Sequence, residues 1–284
     1  MTFKDFLLSA NNWSGAWLIS LLIVFCSMWY FTRVNGIKLF FVALFIGLIY
    51  LVTGSPLMRL HEYGLQSAAM IQQVVVLMIA PVFIWHAISG TKLSSQNGSI
   101  NTTRYTLFYW FTGTFAMWIA HFINAKKAAV VTGMSICGVD SSSNIWIAQI
   151  PDEAVLLFLL ISGILFFMPI FNNNKRINPL AQIIYLFTSC VSCSILGLWV
   201  AFSASISPYG LASITHPVTI SLQQDQELAG MIMWVPGCIL YVSMSCYIAI
   251  QWLEGKNQIP ENLPVIEKKR AITAENQQAV IANT

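Results

Sequence analysis

Residues 154–171 read AVLLFLLISGILFFMPIF, a run without a single charged side chain. The hydrocarbon core of a bilayer is about 30 Å thick, and roughly 20 apolar residues in an α-helix cross it. Backbone polar groups in lipid must be satisfied internally, which favours a helix for a continuously apolar run, because strands of a membrane barrel alternate apolar and polar residues. This stretch therefore predicts one membrane-spanning helix.

Six other stretches have the same character. The predicted spans are 13–32, 37–52, 68–88, 105–123, 154–171, 180–204 and 229–253. The composition is 57% hydrophobic and only 9% charged, with a mean hydropathy of +0.69, whereas soluble domains carry about 25% charged residues. We predict an all-α, polytopic integral membrane protein with a seven-transmembrane-helix bundle in residues 1–254 and a polar cytoplasmic tail in residues 255–284.

The basic residues predict the orientation of this bundle. Ten of the 14 Lys and Arg residues fall in the C-terminal tail and in the loops that are predicted on the same side of the membrane as that tail. Cytoplasmic loops carry the excess of basic residues, so the N-terminus is predicted outside and the C-terminus inside. The net charge of +3 follows from this topology. Membrane lipids are thus expected partners, and nucleic acid is not.

Three segments carry a resemblance to a known family. The last predicted span opens with DQELAGMIMWVPG at 225–237, the third contains SAAMIQQ at 67–73 and LMIAP at 77–81, and the fifth contains SGILFFMP at 162–169. Together they resemble the CtaG family of assembly proteins for caa3-type cytochrome c oxidase. The resemblance makes five residues of the last segment candidate motif positions for contact with a partner or a cation: Asp225, Glu227, Trp234, Pro236 and Gly237.

The chain departs from the family pattern where that pattern places histidines. In the third span Ala69 and Gln73 stand at these positions, and Val155 and Leu156 stand where relatives have a Glu-His pair. Two histidines at i and i+4 share one helix face and can bind one metal ion. Alanine has no ligand atom and a carboxamide is a poor ligand for copper, so the resemblance implies a scaffold whose metal site is lost.

Other side chains could form a replacement copper site. Three histidines fall on the predicted outer side: His61, His121 and His216. Soft ligands that could assist them are Met70, Met134, Cys137 and Met231. None has ligand-type spacing in sequence, and solvated or hydrogen-bonded histidines are the alternative interpretation.

Two further groups have a structural and a functional interpretation. Cys190 and Cys193 form a C-x-x-C in the middle of a predicted span, where small neighbouring residues favour close helix packing over metal binding. Four carboxylates lie at the predicted outer ends of spans: Asp152, Glu153, Asp225 and Glu227. They could ring the mouth of the bundle, or they could stabilise the N-termini of the helices that begin there.

The leading functional hypothesis is a non-catalytic accessory subunit of a haem-copper oxidase or respiratory supercomplex in the bacterial cytoplasmic membrane. The alternative is a copper-delivery assembly factor for cytochrome c oxidase. In both cases oxidase subunits are the expected partners, and no haem or redox cofactor is expected. An enzyme is not predicted, because H-E-x-x-H and G-x-S-x-G are absent, and a retinal protein is disfavoured because the last span has no lysine.

Overall fold

The fold was described from a computed structural model. It describes residues 3–32, 36–88, 102–133, 135–142, 145–171, 178–206, 213–214 and 220–254. The predicted polar tail after residue 254 lies outside the described residues.

Each of the seven apolar stretches is helical. The described elements are α1 Phe3–Leu8, α2 Gly15–Thr32, α3 Gly36–Thr53, α4 Pro56–Glu62, α5 Gln66–Val74, a π-helical segment Val75–Ile79, α6 Ala80–Ile88, α7 Thr102–Thr132, α8 Ile145–Ala148, α9 Asp152–Phe171, α10 Pro179–Ile206, β1 Ser213–Ile214, β2 Ile220–Ser221 and α11 Leu222–Leu253. A 3₁₀ turn, Ala10–Asn12, joins α1 to α2. The two short strands pair antiparallel.

Five helical segments of the described chain are long and apolar enough to cross a membrane: Gly36–Glu62, Gln66–Ala87, Asp152–Phe171, Pro179–Ser203 and Gln223–Leu253. A sixth, Gly15–Ser27, is apolar but shorter. The all-α membrane class is thus supported, while the count of seven crossings and their orientation stay predictions.

The helices pack side by side. The most extensive contact joins α10 to α11, and α11 also packs against α5. Helix α7 packs against both α5 and α9. Helix α6 packs against α9 and α3, and α3 packs against α2. Large apolar side chains of α10 and α11, including Phe187, Phe202 and Ile239, are more than 60% exposed, as expected of a surface in contact with lipid.

The closest helix contacts depend on glycine. A Cβ on Gly230 would lie 2.5 Å from the carbonyl oxygen of Gly197, and one on Gly197 would lie 2.9 Å from the carbonyl oxygen of Gly230. Small residues let helix backbones approach in this way in membranes, where lipid tails are as apolar as the side chains and packing provides the attraction. The α10–α11 pair is therefore held by direct backbone contact.

The third predicted span is irregular at its middle because of Pro81. A proline lacks the N–H that would bond the carbonyl four residues earlier, here Leu77, and its ring crowds that carbonyl. The helix widens there into the π-helical segment Val75–Ile79. A Cβ on Gly163 would lie 2.4 Å from the Leu77 carbonyl oxygen, so glycine lets α9 pack against this exposed backbone.

Two predicted connections are shorter than expected. The segment 124–153 was predicted as a loop, but α7 continues to Thr132 and α8 forms within it. The segment 205–228 was also predicted as a loop, but α11 begins at Leu222. Both helices extend past their apolar parts because their polar ends find partners: Ser221 and Gln224 form a capping box on α11, and Lys126 and Lys127 are bonded on α7.

Candidate functional site

The candidate site lies at the end of the bundle where α5, α9 and α11 begin and α7 ends, hereafter the Asp225 end. The α4–α5 turn is the first part of it. Ser55 caps α4 and Pro56 occupies its first turn. Gly64 follows the helix with φ 87°, a left-handed conformation that glycine adopts without a Cβ penalty. This tight turn places His61 beside the first residues of α5.

Asp225 is fully buried at the centre of this end. Its carboxylate accepts hydrogen bonds from the backbone N–H of Gln66 at 2.6 Å and of Ser67 at 3.2 Å, and from the Ser67 hydroxyl. The N-cap residue of α5 is Leu65, which has no side-chain acceptor. Asp225 therefore caps α5 from another helix, satisfying N–H groups that a helix start leaves unpaired.

The acidic residues at the start of α11 were expected either to ring the mouth of the bundle or to stabilise the N-terminus of their own helix. In the structure the Asp225 carboxylate caps the N-terminus of α5, 159 residues earlier in the chain. The sequence did contain a signal for this contact, because α5 starts after a leucine where a capping Ser, Thr, Asp or Asn is expected. A negative charge at a helix N-terminus is also favoured by the helix dipole.

A second cluster joins three helices at the same end. The Asp152 carboxylate lies 3.3 Å from His61 Nε2 and forms an ion pair with Lys127. His61 belongs to α4, Lys127 to α7 and Asp152 to α9. The neighbouring ion pair between Arg59 and Glu62, at 2.9 Å, is about half exposed, so it contributes little. The sequence analysis singled out His61 and Asp152 but missed Lys127.

The segment after α7 is held by Lys126 and lies against α10. Lys126 is 2% exposed, and its Nζ donates to the carbonyl oxygens of Asp140 and Ser141. Within the turn Cys137 has a φ of 51° and accepts a hydrogen bond from Ser203. Burial raises the pKa of the Cys137 thiol to about 11. This cysteine is therefore a protonated thiol at neutral pH, which is a weak metal ligand.

The predicted copper ligands can now be placed. His61 is engaged with Asp152. His121 is fully buried on α7, and neither of its ring nitrogens has a protein hydrogen-bond partner. His216 and Met134 lie outside the described residues, so the copper site of these three histidines stays a prediction.

The positions where the resemblance implies a histidine motif do not fit a copper ion. Ala69 and Gln73 are both buried on α5, and Val155 and Leu156 are buried on α9. They offer one carboxamide and no imidazole. Among the described residues, no group of three or more His, Cys, Asp or Glu side chains could hold a metal ion.

The remaining motif residues occupy different environments. Glu227 is half-buried and accepts a hydrogen bond from Gln223 of its own helix at 2.8 Å. Pro236 lies inside α11, and Trp234 is 40% exposed. Gly237 is buried, and a Cβ there would lie 2.8 Å from Cys193 Sγ. The four carboxylates thus do not form one ring, because Asp225 is enclosed while Asp152 is bound to α4 and α7.

The C-x-x-C cysteines point to α11 and not to each other. Cys190 Sγ lies 3.0 Å from Cys238 Sγ, and Cys193 donates to the carbonyl of Met233 at 3.1 Å. All six cysteines are free thiols. The contacts of Cys190 and Cys193 join α10 to α11, in agreement with a packing role.

These features define an α-helical membrane protein whose helices are tied together by buried polar contacts at one end. The profile of the cytochrome c oxidase caa3 assembly factor family, Caa3_CtaG, matches residues 32–255, which is most of the chain and includes both clusters of the Asp225 end. The chain belongs to this family. No curated protein and no solved structure matches it significantly.

Proposed function

We propose that this protein is a membrane-embedded assembly factor for a cytochrome c oxidase of the caa3 type. The observation that carries the proposal is the match of the family over residues 32–255, which covers α3 through α11. This proposal replaces the accessory subunit as the leading hypothesis, because the family is one of assembly factors. The proposed setting is a bacterial cytoplasmic membrane, with seven crossings and the Asp225 end outside.

Within this proposal the chain acts by contact with oxidase subunits in the bilayer and not by catalysis. The exposed apolar faces of α10 and α11 support such contact. Trp234 belongs to both the family motif and this exposed surface, with 40% of the residue accessible. Tryptophan is enriched among residues that dominate binding energy, so we propose Trp234 as a contact residue for an oxidase subunit.

Deletion of the gene and complementation test the proposal. We expect the deletion strain to lose active cytochrome c oxidase and its haem absorbance, and a plasmid copy to restore both, while a quinol oxidase in the same membranes is unaffected. The Trp234→Leu variant should restore less activity than the Trp29→Leu variant. Trp29 is a matched control because it is 57% exposed but lies on α2, outside the proposed contact faces and outside the matched residues 32–255. Normal oxidase in the deletion strain would refute the proposal.

The orientation is tested separately with single cysteines on a background that lacks the native ones. A membrane-impermeant maleimide added from outside should label Ser142→Cys and not Ser95→Cys. The reverse pattern would contradict an Asp225 end that faces outward.

An accessory subunit is the second candidate function. The observation in its favour is that Ala69 and Gln73 stand where the resemblance implies histidines, since a chain without those ligands could persist as a structural partner. An accessory subunit would remain bound to the mature oxidase.

A further inference from the structure

Four buried glutamine and histidine side chains near the Asp225 end carry polar atoms that have no hydrogen-bond partner. They are Gln66, Gln73, His121 and Gln226, all at most 1% exposed. Seven of their atoms are unpaired: Gln66 Oε1, both amide atoms of Gln73, both ring nitrogens of His121 and both amide atoms of Gln226. In the described part of the chain, one further buried side-chain atom, Trp110 Nε1, shares this property. We call the four side chains the polar core group.

Two points of contact fix the relative heights of the side chains on α5 and α7. Gln66 Nε2 donates to the carbonyl oxygen of Asn124 at 3.2 Å. Further along, Leu77 of the π-helical segment that continues α5 and Met117 of α7 line one small cavity. The residue number rises from one contact to the other on α5 and falls on α7, so the two helices run in opposite directions. At a rise of about 1.5 Å per residue, His121 and Gln73 lie roughly 6 Å apart along the bundle axis, between the two contacts.

The position of Gln226 follows from Asp225. Because the Asp225 carboxylate bonds the N–H groups of Gln66 and Ser67, the start of α11 is level with the start of α5. Further along, a Cβ on Gly237 would lie 3.4 Å from Met78 Sδ, so the two helices run in the same direction. Gln226 is therefore about 3 Å from the height of His121 along the axis. The polar core group spans roughly 10 Å of the bundle, between Asp225 and the cavity.

The energetic argument is the number of unpaired atoms. In native proteins about 90% or more of buried polar groups are hydrogen-bonded to protein or to ordered water. An unsatisfied buried group destabilises the fold, because it loses the hydration that it had in the unfolded chain. Seven such atoms on four side chains are far more than this rule leads us to expect. The group therefore requires a hydrogen-bonding occupant.

The chemistry of the group selects the occupant. A glutamine amide supplies two N–H donors and one carbonyl oxygen that can accept two hydrogen bonds, and a neutral imidazole supplies one donor and one acceptor. This mixture of donors and acceptors is complementary to water, which has two of each, whereas a metal ion would use the acceptors and leave the amide donors unpaired. The residues that line the small cavity further along include Thr114, Ser189 and Tyr241, which also carry hydroxyl groups.

We propose that the polar core group binds a cluster of water molecules inside the membrane domain. Buried waters typically make about three hydrogen bonds to otherwise unsatisfied groups. The cluster adds to the direct bonds that join α5 to α7 through Gln66 and α5 to α11 through Asp225. This inference stands on the structure alone and is independent of the role in oxidase assembly.

Solid-state NMR on the full-length protein in lipid bilayers tests the proposal. The chain has four histidines, so labelling histidine with ¹³C and ¹⁵N gives a small set of imidazole signals, and loss of one in His121→Phe assigns His121. We expect rapid polarisation transfer from water to the His121 ring although the residue is fully buried. A His121 ring that receives none, while His61 does, would overturn the proposal.

A pair of substitutions gives a second, independent test. Gln72 and Gln73 are adjacent and equally buried, but Gln72 Nε2 already donates to the carbonyl oxygen of Val52 at 3.0 Å. If Gln73 binds water, Gln73→Leu should lower the Tm as Gln72→Leu does, by at least ~2 °C. If the group is dry, Gln73→Leu removes an unpaired amide and raises the Tm, and that result would overturn the proposal.

Discussion

Replacement of the Asp225 carboxylate should weaken the tie between α5 and α11. In Asp225→Asn one of the two oxygens becomes an NH₂ group, which cannot accept from a backbone N–H. One of the two buried N–H groups, of Gln66 or Ser67, is then left unpaired. The cost of an unsatisfied buried donor is about 1–3 kcal/mol. In Asp225→Ala both acceptors are lost, and the expected cost is roughly 2–6 kcal/mol.

The assay is reversible unfolding in mixed dodecyl maltoside and SDS micelles, followed by tryptophan fluorescence. Glu227→Gln is the matched control, because Glu227 is two residues away and its carboxylate accepts a hydrogen bond from Gln223 of its own helix. We expect the control to change the unfolding free energy by less than about 0.5 kcal/mol. An Asp225→Asn variant as stable as Glu227→Gln would refute the cap across helices.

Three other changes test separate contacts. Asp152→Asn should destabilise the fold, because it leaves Lys127 without its anion. Glu153→Gln changes an exposed position and should not. The unfolding free energies of the two variants test this difference. Cys137 should react slowly with N-ethylmaleimide in the folded protein at pH 7.5 and faster as the pH rises toward its pKa of about 11, because the thiolate is the nucleophile. Gly163→Ala should lower the Tm through overpacking, since its Cβ would meet backbone at 2.4 Å, whereas Gly47→Ala has open space.

The helices could be predicted from the sequence because apolar character is a local property. Each predicted stretch is helical, and the predicted ends at Thr32, Ile88, Phe171 and Leu253 coincide with the observed ones. The helix ends that differ most from the predicted ones lie at the end of α7 and the start of α11, where the sequence contains polar residues. The predicted span at 105–123 stopped where apolar character fades, but α7 continues because Lys126 and Lys127 are paired by residues far along the chain.

The contacts of the site were harder to predict from the sequence, because they join residues that are far apart in the chain. Asp225 and Asp152 were correctly singled out as carboxylates at helix starts, but their partners could not be assigned. The contact of Asp225 with Gln66 crosses 159 residues, and that of His61 with Asp152 crosses 91. Such pairs depend on which helices become neighbours, which no local pattern specifies. The short helices α4 and α8 were missed because they are too brief to show a periodic pattern.

We propose that this chain assists the assembly of cytochrome c oxidase without remaining part of it. The copy number of the chain in purified oxidase tests this role, measured by quantitative mass spectrometry on oxidase purified through a tag on its catalytic subunit. Newly synthesised, inactive subunits and fully active oxidase should be isolated separately. We expect the chain to accompany the newly made subunits and to be far below one copy per active oxidase. One copy of the chain in every active oxidase would rule out this role and identify an accessory subunit.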